Sequence, residues 1–221
     1  MGTSACTRLE RALQGCLVPH DRDGCLVVLE GAPGAGKTTF LHRSSGLGGV
    51  STFPQLDHTT QTPLVPDNDA LDWYVTEELN RCRHVRAALS ASSHYVIQDR
   101  CVLSVLAFAY AAARRYGHDG RFASALRKVL QRTRGRLLQP DILFVLTVAP
   151  HVGLQRRYTL AGPPSHEEWR DTTFLRHHAS FYTEFLPTFP ARRVHVIDTT
   201  ELTVGATTDA IMAAVAGFRR S

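Results

Sequence analysis

The sequence is poor in the features that staple, anchor or coat a protein. Its five cysteines, Cys6, Cys16, Cys25, Cys82 and Cys101, are odd in number and form no C-x-x-C pair. Neither a disulfide framework nor a zinc site is expected, and a reducing cytoplasm is the compartment read from them. No run of about 18 apolar residues occurs, so no membrane-crossing helix and no membrane partner are predicted. The first residues lack a basic stretch followed by an apolar one, so no secretory leader is read there. Met1-Gly2 opens a myristoylation-like pattern, but Cys6 stands where Ser or Thr is needed. Lysine is almost missing: of 25 basic residues only Lys37 and Lys128 are lysines. The 25 basic and 20 acidic side chains leave a net charge of +5. That charge is scattered rather than gathered into a stripe, which suits an anionic small molecule and argues against a nucleic-acid partner.

What is present is an ordinary globular composition, 43% hydrophobic and 20% charged over 221 residues. This suits one domain, read as 23–221, preceded by an N-terminal extension at 1–22 with a short helix at 7–18. Apolar runs at 25–30, 50–53, 94–98, 141–148 and 193–197 read as strands. Helices are predicted at 37–44, from 67 or 68 to about 90, 101–116, 120–134, from 152, 167–187 and 204–218. Pro54, Pro63 and Pro66 mark 54–68 as a loop. Alternating strands and helices predict an α/β fold, a parallel sheet with helices on both faces joined by right-handed crossovers. Ligands collect at the carboxyl ends of such strands.

One of those ends carries Gly31-Ala-Pro-Gly-Ala-Gly36-Lys37-Thr38. It fits the phosphate-loop pattern G-x-x-x-x-G-K-[ST] in full and lies between a predicted strand and a predicted helix. The glycines let backbone N–H groups converge on phosphate oxygens at a helix N-terminus. Gly31, Gly34, Ala35, Gly36, Lys37, Thr38 and Thr39 are therefore the candidate ATP-binding residues. Lys37 can reach the β- and γ-phosphates, and the Thr38 hydroxyl can ligate Mg²⁺. No guanine-recognition pattern follows and the chain is short for a motor, which favours a small kinase.

A second strand end carries Asp99-Arg100. Asp99 could hold Mg²⁺ or take the proton of a phosphate acceptor, and Arg100 could clamp a phosphate. An ion pair at a strand end is the competing reading.

Four segments in order resemble the thymidylate kinase family, within the phosphate-loop nucleoside and nucleotide kinases. They are Leu29-Glu30-Gly31 through Lys37-Thr38-Thr39, Asn80-Arg81, Asp99-Arg100-Cys101 through Phe108, and Pro140-Asp141-Ile142-Leu143 followed by Arg156-Arg157. The matches span about residues 25–200. The resemblance implies a P-loop NTPase fold with a five-stranded parallel sheet and a short helical lid at about 156–171. It implies ATP and Mg²⁺, phosphoryl transfer to a nucleotide-like acceptor, and a homodimer, for which the Ala-rich helix 101–116 is a candidate surface. It also implies acceptor contacts from Arg81 and Arg100, and an arginine, Arg156 or Arg157, over the transferring phosphate. Phe53, Trp73 and Phe108 fall where the family lines its acceptor pocket, with core packing as the alternative for each.

This sequence also departs from that pattern. Ala32, Pro33, Gly34 and Ala35 include no carboxylate, where family members often carry one. Gln55-Leu56-Asp57-His58 follows Phe53-Pro54 where an arginine is usual, and Cys101 replaces a tyrosine. The reading is thus an ATP-dependent kinase of a nucleoside monophosphate or nucleoside. Its rivals are a kinase of another hydroxyl-bearing metabolite and a nucleotide-binding regulatory ATPase.

Overall fold

A computed structural model describes residues 12–20, 24–56, 67–91, 94–117, 119–161 and 167–218. Asp57, His58 and the Gly-Pro-Pro break at 162–164 lie outside the described residues. The chain forms β1 (Leu17–Val18), β2 (Cys25–Gly31), α1 (Lys37–Ser44), β3 (Val50–Phe53), α2 (Asp67–Ser90), β4 (Tyr95–Asp99), α3 (Val102–Tyr116), α4 (Asp119–Thr133) and β5 (Leu137–Leu138). It continues with β6 (Ile142–Thr147), α5 (Pro150–Ala161), α6 (Thr172–Phe185), β7 (Arg193–Asp198) and α7 (Val204–Ala216). Short 3-10 turns, Glu167–Arg170 and Leu186–Thr188, bracket α6.

Strand β2 is buried along its whole length and β6 along all but its last residue. Strands covered on both faces can be apolar without alternation, and the sequences CLVVLEG and ILFVLT are of that kind. The main sheet has five parallel strands in the order β3-β4-β2-β6-β7. Alternate residues of the central strands feed two different cores. Leu26, Val28, Val96, Leu143 and Val145 pack toward α2, α3 and α6. Val27, Leu29, Ile97, Ile142, Phe144 and Leu146 pack toward Phe40 and Leu41 of α1 and Ile211 and Val215 of α7. Each such side chain contributes roughly 1.5–3 kcal/mol on full burial.

The chain runs from β2 out to the edge strand β3, returns to β4, and then crosses β2 to reach β6 on the other side. The connections leaving β2 and β4 thus run in opposite directions, which places a topological switch point between the carboxyl ends of these two strands, where the phosphate-loop sequence begins. The register sets Leu29 of β2 opposite Asp99 of β4 and Gly31 opposite Leu146 of β6. The two strand ends that carry the phosphate loop and Asp99-Arg100 are therefore neighbours.

The described part of the N-terminal extension packs into the same body. Leu13 and Cys16 are buried in the larger core, and β1 pairs in parallel with β5, a small sheet that the apolar runs do not predict. His20 Nε2 lies 2.9 Å from Asp141 Oδ2, which also accepts the Leu26 backbone N–H at 2.8 Å. Cys16, Cys82 and Cys101 line an apolar cavity of about 50 Å³. Burial raises all three thiols, Cys82 to about 12, so they serve as packing groups rather than nucleophiles.

Helix α3 corrects one expectation. Its Ala107, Ala109, Ala111, Ala112 and Ala113 are already buried within one chain. The Ala-rich stretch is therefore not a free surface for a second copy. No described helix is long and apolar enough to cross a membrane.

Candidate active site

The phosphate loop turns where its glycines allow it. Gly31 has φ +117°, and a Cβ there would collide with the Leu146 carbonyl of β6. Gly34 has φ +76° and rests on the backbone of Gly153 in α5. The loop is thus held between the sheet and the start of α5. Helix α1 begins after Gly36 with no side-chain cap, which leaves its N-terminus uncapped on the loop side.

Lys37 is buried, and its Nζ donates to the carbonyls of Gly31 at 3.0 Å and Ala32 at 2.7 Å. Burial and the nearby Arg100 charge bring its pKa down to about 7, against the opposing pull of Asp99 and Glu30. The Thr38 hydroxyl donates to Asp99 Oδ2 at 2.8 Å. Asp99 is fully buried, and its other oxygen, Oδ1, has no hydrogen-bond partner among the described residues. A buried carboxylate oxygen without a donor calls for a cation. A hydroxyl and a carboxylate beside a phosphate loop are the hard-oxygen set that suits Mg²⁺, which takes one or two protein ligands and completes its shell with phosphates and water.

Arg100 follows with φ +67°, the one positive φ at a non-glycine among the described residues. Several partners hold it there. Its N–H donates to the Leu29 carbonyl at 2.8 Å, continuing the sheet past β4. Its carbonyl accepts from Gln98 Nε2 at 2.8 Å and from Arg81 Nη2 at 2.9 Å. Its side chain donates from Nε to Gln55 Oε1 at 2.8 Å and from Nη1 to Ser104 Oγ at 2.9 Å.

Arg81 departs from its expected role. The structure buries it under the end of β4, paired with Glu78 and donating to the carbonyls of Pro54, Asp99 and Arg100. Its Nη1 and Nη2 thereby position the Asp99-Arg100 backbone, while its buried Nε has no hydrogen-bond partner among the described residues. Gln98 Nε2 also donates to Glu78 Oε1 at 3.0 Å, closing the network.

Glu30 is a residue to which the sequence alone assigns no role of its own. It is fully buried, and its carboxylate accepts from the Cys101 N–H at 2.7 Å, Ser104 Oγ at 2.6 Å and Tyr182 OH at 2.8 Å. Helix α3 has no cap from its own side chains, and Glu30 supplies the anion at its N-terminus. One carboxylate thereby ties β2 to α3 and α6. The motif triplet Leu-Glu-Gly holds the signal: an acidic residue at the end of an otherwise apolar strand.

The two lid arginines separate. Arg156 Nη2 donates to the carbonyls of Thr199, Thr200 and Leu202 at 2.9–3.1 Å, pinning the loop after β7. Arg156 lines the same cleft as Arg157 and differs from it in being held by these carbonyls. Arg157 lies half-buried in the cleft wall, its pKa lowered by burial and by the charge of Arg100. Arg157 thus shares the cleft with the Arg100 charge.

One cleft of about 890 Å³ has Lys37, Thr38, Arg100, Arg156 and Arg157 on its lining. Gln55, which directly follows Phe53-Pro54, and Trp169, within the expected lid, also line it, and the sequence assigns neither a role. Of the predicted acceptor residues only Arg100 lies on this cleft. Phe53 packs against the larger core. Trp73 packs edge-on to Tyr74 at 4.9 Å. Phe108 sits behind the wall, 5.5 Å from Trp169 and 5.2 Å from Phe174.

The sheet order, the phosphate loop and the cleft together define the fold of the phosphate-loop nucleoside and nucleotide kinases. The chain is similar in structure to the thymidylate kinase of Candida albicans, with TM-score 0.68 and 17% identity over 89% of this chain and 93% of that one. It is similar to the deoxyadenosine kinase of M. mycoides, solved with bound dATP, with TM-score 0.67 and 19% identity over 86% of this chain and 99% of that one. The thymidylate kinase of Ehrlichia chaffeensis follows with TM-score 0.60 and 16% identity over 87% and 98%. No family model and no curated protein matches the sequence.

Proposed function

We propose that the chain is an ATP-dependent kinase that transfers the γ-phosphoryl group to a nucleoside or nucleoside monophosphate. The carrying observation is the Thr38–Asp99 pair at the mouth of the phosphate loop, with Asp99 Oδ1 buried and, among the described residues, unpartnered. Thr38 and Asp99 are the residues that would hold Mg²⁺, whose chemistry there would be to neutralise the charge of the donor phosphates. The loop N–H groups and Lys37 hold the phosphates. Arg157 and Arg100 stabilise charge on the transferring group, while Arg156 shapes the donor side by fixing the loop at 199–202. In the transfer an acceptor oxygen forms a bond to the γ-phosphorus. The bond from that phosphorus to the β,γ-bridging oxygen breaks, and ADP carries away the electron pair. With Asp99 assigned to the metal, the proton of a hydroxyl acceptor would pass to solvent in the cleft.

One observation favours a neutral hydroxyl as acceptor over a monophosphate. Gln55 occupies Arg100 Nε and Ser104 occupies Nη1, which leaves Nη2, among the described residues, without a protein hydrogen bond. A clamp that engages a phosphate through two parallel bonds is therefore partly spent.

The test is acceptor-dependent ADP release with Mg²⁺ and ATP across nucleosides, nucleoside monophosphates and unrelated hydroxyl compounds, with Lys37→Ala as blank. Turnover with deoxyadenosine or thymidine supports the nucleoside reading, and turnover with dTMP the monophosphate one. ATP binding without acceptor-dependent ADP release would overturn both in favour of a regulatory ATPase.

A further inference from the structure

Helix α6 presents Phe174, His178 and Tyr182 along one buried line, four residues apart. The outer two have evident partners. Phe174 packs against Phe108 and Trp169, and Tyr182 donates its hydroxyl to Glu30. His178 between them is fully buried, yet neither Nδ1 nor Nε2 has a hydrogen-bond partner among the described residues. The rings of Trp169 and Tyr182 lie 5.3 Å and 5.5 Å from its own. Buried polar side chains are normally paired, and a leucine would fill an aromatic box at lower cost. The unpaired imidazole therefore points to a partner from outside these residues.

Trp169 is what separates His178 from the cleft, because the indole lines the cleft and its ring packs on the imidazole. The charged groups that bear on His178 are Arg100 and Lys37. With burial they push its pKa well below the ordinary histidine range, so the ring is neutral. A neutral imidazole offers one N–H and one lone pair. That complements an uncharged hydroxyl or amide, whereas a phosphate would be drawn to Lys37, Arg100 and Arg157.

We propose that His178 is an acceptor-binding, specificity-determining residue: an uncharged hydrogen-bonding group of the acceptor displaces the Trp169 indole and pairs with the His178 imidazole. The identity of this ligand as the phosphate acceptor rests on the kinase reading above.

The experiment compares wild type, His178→Leu and His178→Gln. It measures melting temperature without ligand, ADP release with deoxyadenosine, thymidine and dTMP, and ¹⁵N resonances of the histidine side chains with the same three compounds. Removing an unpaired buried polar group should raise the melting temperature of His178→Leu by about 2–4 °C. The same variant should raise acceptor KM on the order of tenfold with ATP KM unchanged, and His178→Gln should recover most of the loss. Unchanged acceptor kinetics in His178→Leu, or equal loss of stability and ATP binding, would overturn the proposal and leave the kinase reading standing. If wild type releases no ADP with any of the three compounds while one of them shifts the His178 resonances, the kinase reading fails and the binding role stands. If no compound does either, both fail.

Discussion

The Thr38 hydroxyl donates to Asp99 Oδ2 across 2.8 Å and joins the first turn of α1 to the end of β4. Parallel pairing of β2 with β4 brings them together, since Leu29, two residues before the loop begins, is the register partner of Asp99. Asp99→Asn keeps the shape and removes the charge. It should lower kcat by about 100-fold or more. It should also abolish the gain in ATP affinity that Mg²⁺ confers, while ATP binding without the metal stays near wild type. Calorimetric titration with and without Mg²⁺ checks this, and an intact Mg²⁺ effect in Asp99→Asn would remove Asp99 from the metal site.

Arg156 and Arg157 are adjacent, yet opposite losses are expected from them. Arg156→Ala deprives the Thr199, Thr200 and Leu202 carbonyls of their shared donor, so it should lower stability by about 1–3 kcal/mol and raise ATP KM. Arg157→Ala should lower kcat about 100- to 1,000-fold with little change in melting temperature, because it also relieves repulsion with Arg100. Thermal unfolding and steady-state kinetics on the same two variants decide between this division and a shared role.

Much of this arrangement is legible in the residues alone. The phosphate loop is a local pattern, and its strand and helix are set by period and punctuation. The boundaries of α1 and β3 fall where the sequence predicts them because Gly46, Gly48 and Gly49 break the helix before Val50. Four of the expected acceptor residues lie off the cleft. Arg81, Phe53, Trp73 and Phe108 gain their expected roles from position in a motif, and motif position does not say which way a side chain faces. Arg81 turns inward because three carbonyls at the end of β4 and the preceding loop need a donor. In the sequence His178 is only one of two adjacent histidines. Its isolation depends on Trp169, which lies nine residues earlier and reaches it through the turn before α6.

Lys37 gives a pH dependence with a definite sign. In the ligand-free protein its pKa lies near 7, so above that pH the side chain is mostly neutral. Phosphate oxygens favour the charged form, so nucleotide binding above pH 7 should take up a proton. At pH 8 the uptake should approach about 0.9 proton, and affinity should fall with rising pH by up to about tenfold per unit until the bound-state pKa is reached. Calorimetry in buffers of different ionisation enthalpy measures the uptake, and Lys37→Ala should show none. Equal uptake in that variant would assign the proton elsewhere.

The phosphate loop and α5 touch through two glycines, Gly34 and Gly153, and that contact sets where Arg157 stands. A Cβ on Gly153 would lie 2.7 Å from the Pro33 carbonyl oxygen and 3.0 Å from Val148 Cγ1. Alanine favours a helix over glycine by about 1 kcal/mol. The steric term opposes it: backbone against backbone cannot yield as a flexible side chain would, and overpacking of this kind costs about 1–3 kcal/mol. Gly153→Ala should therefore be net destabilising, by up to about 2 kcal/mol, or about 4–8 °C in melting temperature at most. Gly205→Ala in α7 is the control, because its Cβ would meet only Thr203 Oγ1 at 3.8 Å. That variant should be neutral or more stable. Pushing α5 off the loop also moves Arg157 from the cleft, so Gly153→Ala should lower kcat more than it raises ATP KM. A stable Gly153→Ala with full kcat would show that α5 and the loop are free to slide past each other, and the fixed placement of Arg157 would fall with it.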